Sequence, residues 1–268
     1  MRPTFDKDKP LRVFEAFAGY GSQCFALERV AKHHPTFAYR LVGWSEIDKH
    51  AITAHNLLHP DAADLNFGDI SKIDWDSVPD FDLFTYSSPC QDFSVAGLQK
   101  GGTEGSGTRS SLLWECRKAI RTKKPKYLLL ENVKALVSKK FKPLFLQWLG
   151  ELEGFGYTNY WQVLNAADYG VPQNRERVFC LSIRKDAAEM FPYYRFPRPV
   201  PLTRCVQDLL QDKVHEKYYL SQKLIDYYMR TTADTRHNHK FEPTNGEGSA
   251  KCITTREGGG ASGKQLSD

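Results

Sequence analysis

The residues of this chain that could do chemistry stand at the ends of short apolar runs. Cys90 lies in Ser88-Pro89-Cys90-Gln91, directly after the run Phe81–Tyr86. Preceded by proline and followed by a loop holding Gly97, Gly101, Gly102, Gly105 and Gly107, its thiol would be exposed on a rigid support, beside a segment able to close over a substrate. A free cysteine is otherwise a small core hydrophobe, and Cys24, Cys116 and Cys180, inside helical or strand patterns, are expected to be of that kind. Glu131-Asn132-Val133 follows the run Tyr127–Leu130. A partly buried carboxyl there can hold a raised pKa and donate a proton. An acid favoured by a helix dipole is the alternative. Gln173-Asn174-Arg175-Glu176-Arg177 leads into a further apolar run, where arginines either fix a planar polar group by forked hydrogen bonds or form salt bridges.

A second group of residues suits a nucleoside. Phe17-Ala18-Gly19-Tyr20-Gly21-Ser22 closes the run Leu11–Phe17 and opens a helical pattern, and two glycines there permit a tight turn and close approach of a ligand to the backbone. Glu46 follows the next apolar run, at a place where an acid commonly grips ribose hydroxyls. Gly68-Asp69-Ile70 offers a carboxylate and an apolar side chain for an adenine. The full GxGxxG spacing of dinucleotide enzymes is absent, which disfavours NAD.

These residues need a scaffold, and the pattern supplies one. Strands are expected at Leu11–Phe17, Tyr39–Trp44, Phe81–Tyr86, Tyr127–Leu130, Tyr157–Leu164 and Arg177–Ile183, with helices over Ser22–His33, Lys49–Leu58, Leu112–Arg121 and Phe145–Leu152. Strands separated by helices imply βαβ units: an α/β, doubly wound, Rossmann-like and mostly parallel sheet with helices on both faces. Ligands bind such sheets beyond the carboxyl ends of the strands, where the motifs fall. Composition shifts at Phe191-Pro192-Tyr193-Tyr194-Arg195-Phe196-Pro197-Arg198-Pro199, so residues 1–200 are expected as a catalytic domain and 201–268 as the start of a small irregular region.

Composition narrows the class. In 268 residues, 41% apolar and 26% charged side chains can fill a core, which excludes wholesale disorder. No apolar run approaches the ~18 residues of a membrane span, and no signal-like core opens the chain, so a cytoplasmic or nucleoid-associated protein is expected, with no membrane partner. The six cysteines form no CxxC pair, so they are expected as reduced thiols with no metal bound. Residues 113–142 hold ten of the 37 Lys and Arg and only two of the 32 acids. Such a run is either a solvated face or a surface that meets phosphates.

Together the four motifs resemble the C5-cytosine DNA methyltransferase family: FAGYGS its first motif, SPCQ its proline-cysteine motif, ENV its glutamate motif and QNRER its arginine motif, in the family's order from about Leu11 to Phe179. EKYYLSQ and CITTREGGG resemble the start of the family's target-recognition region. The resemblance implies methyl transfer from S-adenosylmethionine, leaving S-adenosylhomocysteine, to C5 of a cytosine flipped out of double-stranded DNA. It implies Cys90 as the nucleophile at C6, Glu131 as the group that holds and protonates N3, Arg177 as the ligand of O2, and Arg175 as an ordering residue. It places the cofactor against Phe17, Gly19, Gly21, Glu46, Ile47, Asp69, Ile70, Pro89 and Leu112, and lines the DNA side with Gln91, Ser94 and Arg109. A restriction–modification or phage setting is implied, with a transfer RNA methyltransferase or a silent binding subunit as alternatives. The family's pattern continues with two further motifs, so a truncated chain, or a second polypeptide supplying them, is also expected.

Overall fold

The computed structural model describes residues 5–89, 109–188, 194–226 and 248–251. In chain order the first elements are β1 (Leu11–Ala16), α1 (Ser22–His33), β2 (Tyr39–Ser45), α2 (Lys49–Leu58), β3 (Leu83–Tyr86), α3 (Cys116–Lys123) and β4 (Tyr127–Val133). There follow α4 (Lys142–Gly154), β5 (Tyr157–Asn165), β6 (Gln173–Asn174), β7 (Glu176–Arg184), α5 (Lys185–Ala188) and β8 (Ala250–Lys251). Short 3-10 turns join them.

Alternation of side chains along the strands explains why they form one sheet between two apolar layers. Val13, Leu83, Tyr127 and Leu129 face one side, where Leu27 of α1 packs. Phe14, Ala16, Phe84, Tyr86, Leu128 and Leu130 face the other, against Cys116, Ala119 and Ile120 of α3 and Phe145, Trp148, Leu149 and Leu152 of α4. Trp148 is fully buried and donates its Nε1–H to the Tyr86 hydroxyl at 3.1 Å, which ties α4 to β3 and satisfies two polar groups at once. β3, buried at all four positions, has the character of a central parallel strand.

The sheet runs β2-β1-β3-β4-β7-β5. β1 pairs in parallel with both β2 and β3, and β3 with β4, while β7 lies antiparallel to β4. The fold class expected from the pattern, a mostly parallel, Rossmann-like α/β sheet, is therefore the one observed. Strand order reverses between β1 and β3, because chain order runs outward from β1 in both directions; sheets of this kind bind ligands beyond the carboxyl ends of the strands at such a point.

Among the element boundaries that differ from expectation, two bear on the site. β4 continues through Glu131 and Asn132 to Val133, because β7 offers it an antiparallel partner as far as the pair Val133↔Arg177. The stretch Arg109–Glu115 is a 3-10 turn, and the α-helix expected from Leu112 starts at Cys116.

The chain forms two compact units. The first comprises the described residues of Met1–Val163 and Arg177–Phe196, and the second those of Leu164–Glu176 and Pro197–Asp268. Within the second, β6 pairs with β8, the Val200 N–H donates to the Asp168 carbonyl at 2.8 Å, and the Val206 N–H donates to the Gly248 carbonyl at 3.0 Å. Its segment 201–221 is largely irregular, with single 3-10 turns at Gln207–Leu209 and Glu216–Tyr218, and residues 222–226 are helical.

Candidate active site

The turn after β1 is held in an unusual backbone path. Phe17 has φ 56°, Gly19 φ 58° and Gly21 φ 85°, all left-handed. Glycine is required at 21 on a second ground: a Cβ there would lie 2.5 Å from His59 Nε2. Gly21 also caps α1 without a side chain, and the orphan helix N–H groups find another acceptor. Buried Glu15 of β1 accepts from the Gln23 N–H at 3.2 Å and the Cys24 N–H at 3.3 Å. Burial pushes the Glu15 carboxyl up from its ordinary value, and these bonds oppose that shift.

Glu46, at the end of β2, closes the opposite wall of this turn. Its Oε2 accepts from the Gly19 N–H at 3.0 Å, and its Oε1 accepts from the N–H groups of Ile47 at 2.8 Å and Asp48 at 2.9 Å. Asn66 steadies the same corner, donating to the Glu46 carbonyl and accepting from the Glu46 and Gly68 N–H groups. The carboxylate is thus fixed in place beside the glycine turn. Ile47 is 66% exposed, an apolar face turned outward next to it. Asp69 caps a 3-10 turn by accepting from the Ser71 N–H and hydroxyl, which lowers its pKa, while the Ile70 side chain packs in the core.

At the carboxyl end of β3, Ser87 and Ser88 lead to Pro89. Cys90, Gln91 and Ser94 lie outside the described residues, as does the Arg109 side chain. What holds the segment preceding Cys90 is visible. Gln23 Nε2, in the first turn of α1, donates to Ser87 Oγ at 2.7 Å. Asn132 Nδ2, on β4, donates to the Ser88 carbonyl at 3.1 Å and lies 3.3 Å from Ser88 Oγ. Asn132 and Ser88 are each only 3% exposed, so this clamp is dry. The sequence assigns Asn132 no role, because its place on β4 depends on the long-range pairing with β7.

Glu131 and Arg177 meet directly. Val133 stands opposite Arg177 in the antiparallel ladder, so Glu131, two residues earlier, shares that face and lies diagonally across from the arginine. Arg177 Nε is 3.1 Å from Glu131 Oε1, with about one fifth of each side chain exposed. Arg175 belongs to the second unit, where its backbone N–H donates to Asn165 Oδ1 at 3.0 Å. Leu112 is half-buried in the 3-10 turn before α3.

The three cysteines assigned to the core are there. Cys24, Cys116 and Cys180 are at most 1% exposed, and burial raises all three thiols, Cys180 to about 12. None can supply a thiolate near neutral pH. Among the described residues no His/Cys/Asp/Glu group is arranged to hold a metal ion, and no helix is long and apolar enough to cross a membrane.

The basic run of residues 113–142 is divided by β4. Its first part leads into the amino end of β4, and four of its six cations form ion pairs: Arg117 with Glu151 at 2.8 Å, Lys118 with Glu115 at 2.9 Å, Lys123 with Asp80 at 3.5 Å and Lys126 with Asp82 at 3.5 Å. Its second part, Lys134, Lys139, Lys140 and Lys142, follows the carboxyl end of β4 and is exposed.

Comparison with known proteins agrees with this geometry. The sequence profile described as C-5 cytosine-specific DNA methylase matches residues 11–263. The type II methyltransferase M2.ScrFI of Lactococcus lactis subsp. cremoris is 42% identical over 266 residues, covering 80% of this chain and 71% of that protein. The orphan methyltransferase M.SssI of Spiroplasma monobiae is 34% identical, covering 89% of this chain and 74% of its own length. For the orphan methyltransferase M.SPRI of Bacillus phage SPR the identity is 33%, and the chain spans only 57% of that relative. The fold is also that of two solved structures: the Entamoeba histolytica methyltransferase EhMeth (TM-score 0.71, 18% identity, covering 92% of this chain and 71% of that one) and the S. pombe Dnmt2 methyltransferase (TM-score 0.63, 20% identity, 91% and 71%). With a profile match over nearly the whole chain and relatives above 30% identity, the chain belongs to the C-5 cytosine-specific DNA methylase family.

Proposed function

We propose that this chain is the catalytic part of a DNA (cytosine-5)-methyltransferase of restriction–modification type, acting through a covalent cysteine adduct on a cytosine flipped out of duplex DNA. The observation that carries this reading is the carboxyl end of β4: Glu131 is paired with Arg177 at 3.1 Å, and the adjacent Asn132 holds the segment that leads to Cys90.

Cytosine C5 is a poor nucleophile, and addition of the Cys90 thiolate to C6 turns C5 into the end of an enamine. That addition puts electron density on the ring, and a proton delivered to N3 relieves it. Glu131 is the donor; its Oε1 is engaged by Arg177, so Oε2 is the oxygen assigned to N3. Arg177 lies beside it to take the cytosine O2, where negative charge also develops. After methylation the C5 proton passes to water, N3 returns its proton to Glu131, the C6–S bond breaks, and the thiolate of Cys90 is regenerated.

The residues after β1 and β2 fit S-adenosylmethionine, which when bound supplies an electrophilic methyl group. Among the described residues a Cβ at Gly19 would have no neighbour within 4 Å, so they leave open space above the turn. Glu46 stands fixed on that space for ribose hydroxyls. Phe17, Gly21, Ile47, Asp69, Ile70, Pro89 and Leu112 complete the set we assign to the cofactor, and Gln91, Ser94 and Arg109 that assigned to DNA, with Arg175 as an ordering residue.

Radiolabelled methyl transfer by the full reading frame tests this. Incorporation into duplex DNA at C5 of cytosine is the expected result. Incorporation into transfer RNA with none into DNA would replace the substrate, and labelling of neither would leave a binding subunit.

A further inference from the structure

Methyl donor and nucleophile must reach one base from two different loops. Ala16 stands opposite Tyr86 in the parallel β1–β3 pair, so the turn beginning at Phe17 and the segment beginning at Ser87 leave the sheet side by side. Gln23 joins them. Its backbone N–H donates to buried Glu15 at 3.2 Å, which fixes its place in the first turn of α1. Its Oε1 accepts from the Ser22 hydroxyl at 2.6 Å, and its Nε2 donates to Ser87 Oγ at 2.7 Å. One half-buried amide is thus held by the residue after Gly21 and by the residue after β3. Bonded through both its oxygen and its nitrogen, the amide is fixed in one orientation. Capping of α1 does not need this side chain, since Glu15 accepts the helix N–H groups of residues 23 and 24.

Resting on the reading of Cys90 as nucleophile and S-adenosylmethionine as methyl donor, we propose that Gln23 is a positioning residue that, through Ser87, holds the nucleophile segment in register with the cofactor turn. The Asn132 bond holds the neighbouring Ser88 from β4, the strand that carries Glu131. The two clamps divide the task. Asn132 sets the segment against the proton donor, and Gln23 sets it against the methyl donor. Reacting groups tolerate little error of placement, and a shift of about 1 Å can cost roughly 10²-fold in rate. Acting through Ser87 rather than on either ligand, Gln23 contributes to the rate at saturation and not to binding.

Gln23→Met, which keeps length but not the hydrogen bonds, and Ser87→Ala test the bond from its two sides in the complete enzyme. Single-turnover methyl transfer to a target duplex at saturating S-adenosylmethionine should fall about tenfold in each, the scale of one hydrogen bond made in the transition state. The double variant should fall no further than either alone, because both changes remove the same bond. Affinity for S-adenosylhomocysteine without DNA, read by calorimetry, should change less than about threefold, which a general loosening of the fold would not spare. Ser87→Thr keeps the hydroxyl and should recover most of the rate. Losses that multiply in the double variant, an unchanged rate in Gln23→Met, or a loss confined to cofactor affinity each overturn the proposal. They leave the methyltransferase reading intact if the wild type methylates cytosine at C5. A wild type that transfers no methyl group overturns both. Thermal melting verifies folding, and if Gln23→Met does not fold, a normal rate in Ser87→Ala is by itself enough to overturn the proposal.

Discussion

The two ends of β4 use the same residue types for opposite purposes. At the amino end, Arg12 donates to Asp82 at 2.9 Å, Lys126 and Lys123 pair with Asp82 and Asp80, and the Tyr127 N–H donates to the Asp82 carbonyl. The named charges find partners in the segment that leads into β3, and the Arg12 bond raises the arginine pKa further. At the carboxyl end, Glu131 and Arg177 also pair, but on a ledge about one fifth exposed, next to the dry Asn132–Ser88 clamp and ahead of four exposed lysines. An ion pair that closes strand ends is structural. One left open to a crevice, with its surroundings rigid, can exchange its partner for a substrate. The difference lies in what each pair faces.

The widest separation between the two ends should come from Glu131→Gln. Methyl transfer is expected to fall roughly 10²–10⁴-fold, the range typical of lost acid–base assistance, with DNA affinity changed far less. Equal losses in turnover and affinity, measured by single-turnover kinetics and anisotropy, would make Glu131 a structural residue like Asp82.

Asn132→Ala is expected to cost about 10- to 100-fold in turnover, since losing a buried hydrogen bond of about 1–3 kcal/mol lets the Ser88 segment drift. The melting temperature would fall as well, so the discriminating readout is the rate of adduct formation on a trapping substrate. A normal rate would show that the clamp is dispensable for placing Cys90.

Asp82→Ala probes the amino end. Removing an acid that is 7% exposed and holds Arg12 and Lys126 should cost about 2–3 kcal/mol of stability, while turnover per folded molecule is retained. Denaturant unfolding and active-site titration check the two halves of that statement.

The smallest effect concerns the support of the glycine turn. His55, fully buried, stacks on Trp44 at 3.7 Å, and His59 lies between it and Glu28, whose carboxylate is 2.9 Å from His59 Nδ1. Burial first, and then His59, lower the His55 pKa from 6.5 to about 4. The neutral ring is thus favoured in the fold. Stability should be full above pH 6.5 and decline as pH falls toward 4, because only the unfolded chain takes up the proton there. His55→Phe, which keeps the stacked ring, should flatten that part of the pH profile of thermal unfolding.

Much of this was legible from sequence because local pattern and tertiary demand coincide. Phe14, Phe84 and Leu128 alternate with Val13, Leu83 and Tyr127, and that period alone identifies strands with two buried faces. Gly21 and Glu46 could be read because the turn after the first strand of such a sheet has few chemical solutions. Less legible was anything that depends on pairing across the sheet. That β4 runs on through Asn132 follows from the antiparallel ladder with β7, a long-range choice with no local signature. The Asn132 clamp on Ser88, and the division of one basic run between two ends of a strand, arise from the same cause.

Covalent trapping tests the central claim most directly. Duplex DNA bearing 5-fluorocytosine at the target position should become covalently attached to the complete enzyme in the presence of S-adenosylmethionine, because fluorine cannot leave C5 as a proton does. The attached peptide should contain Cys90, and Cys90→Ser should give no adduct, since an alkoxide is far scarcer than a thiolate at neutral pH. Absence of an adduct with the wild type, or one that persists undiminished in Cys90→Ser, would contradict the account.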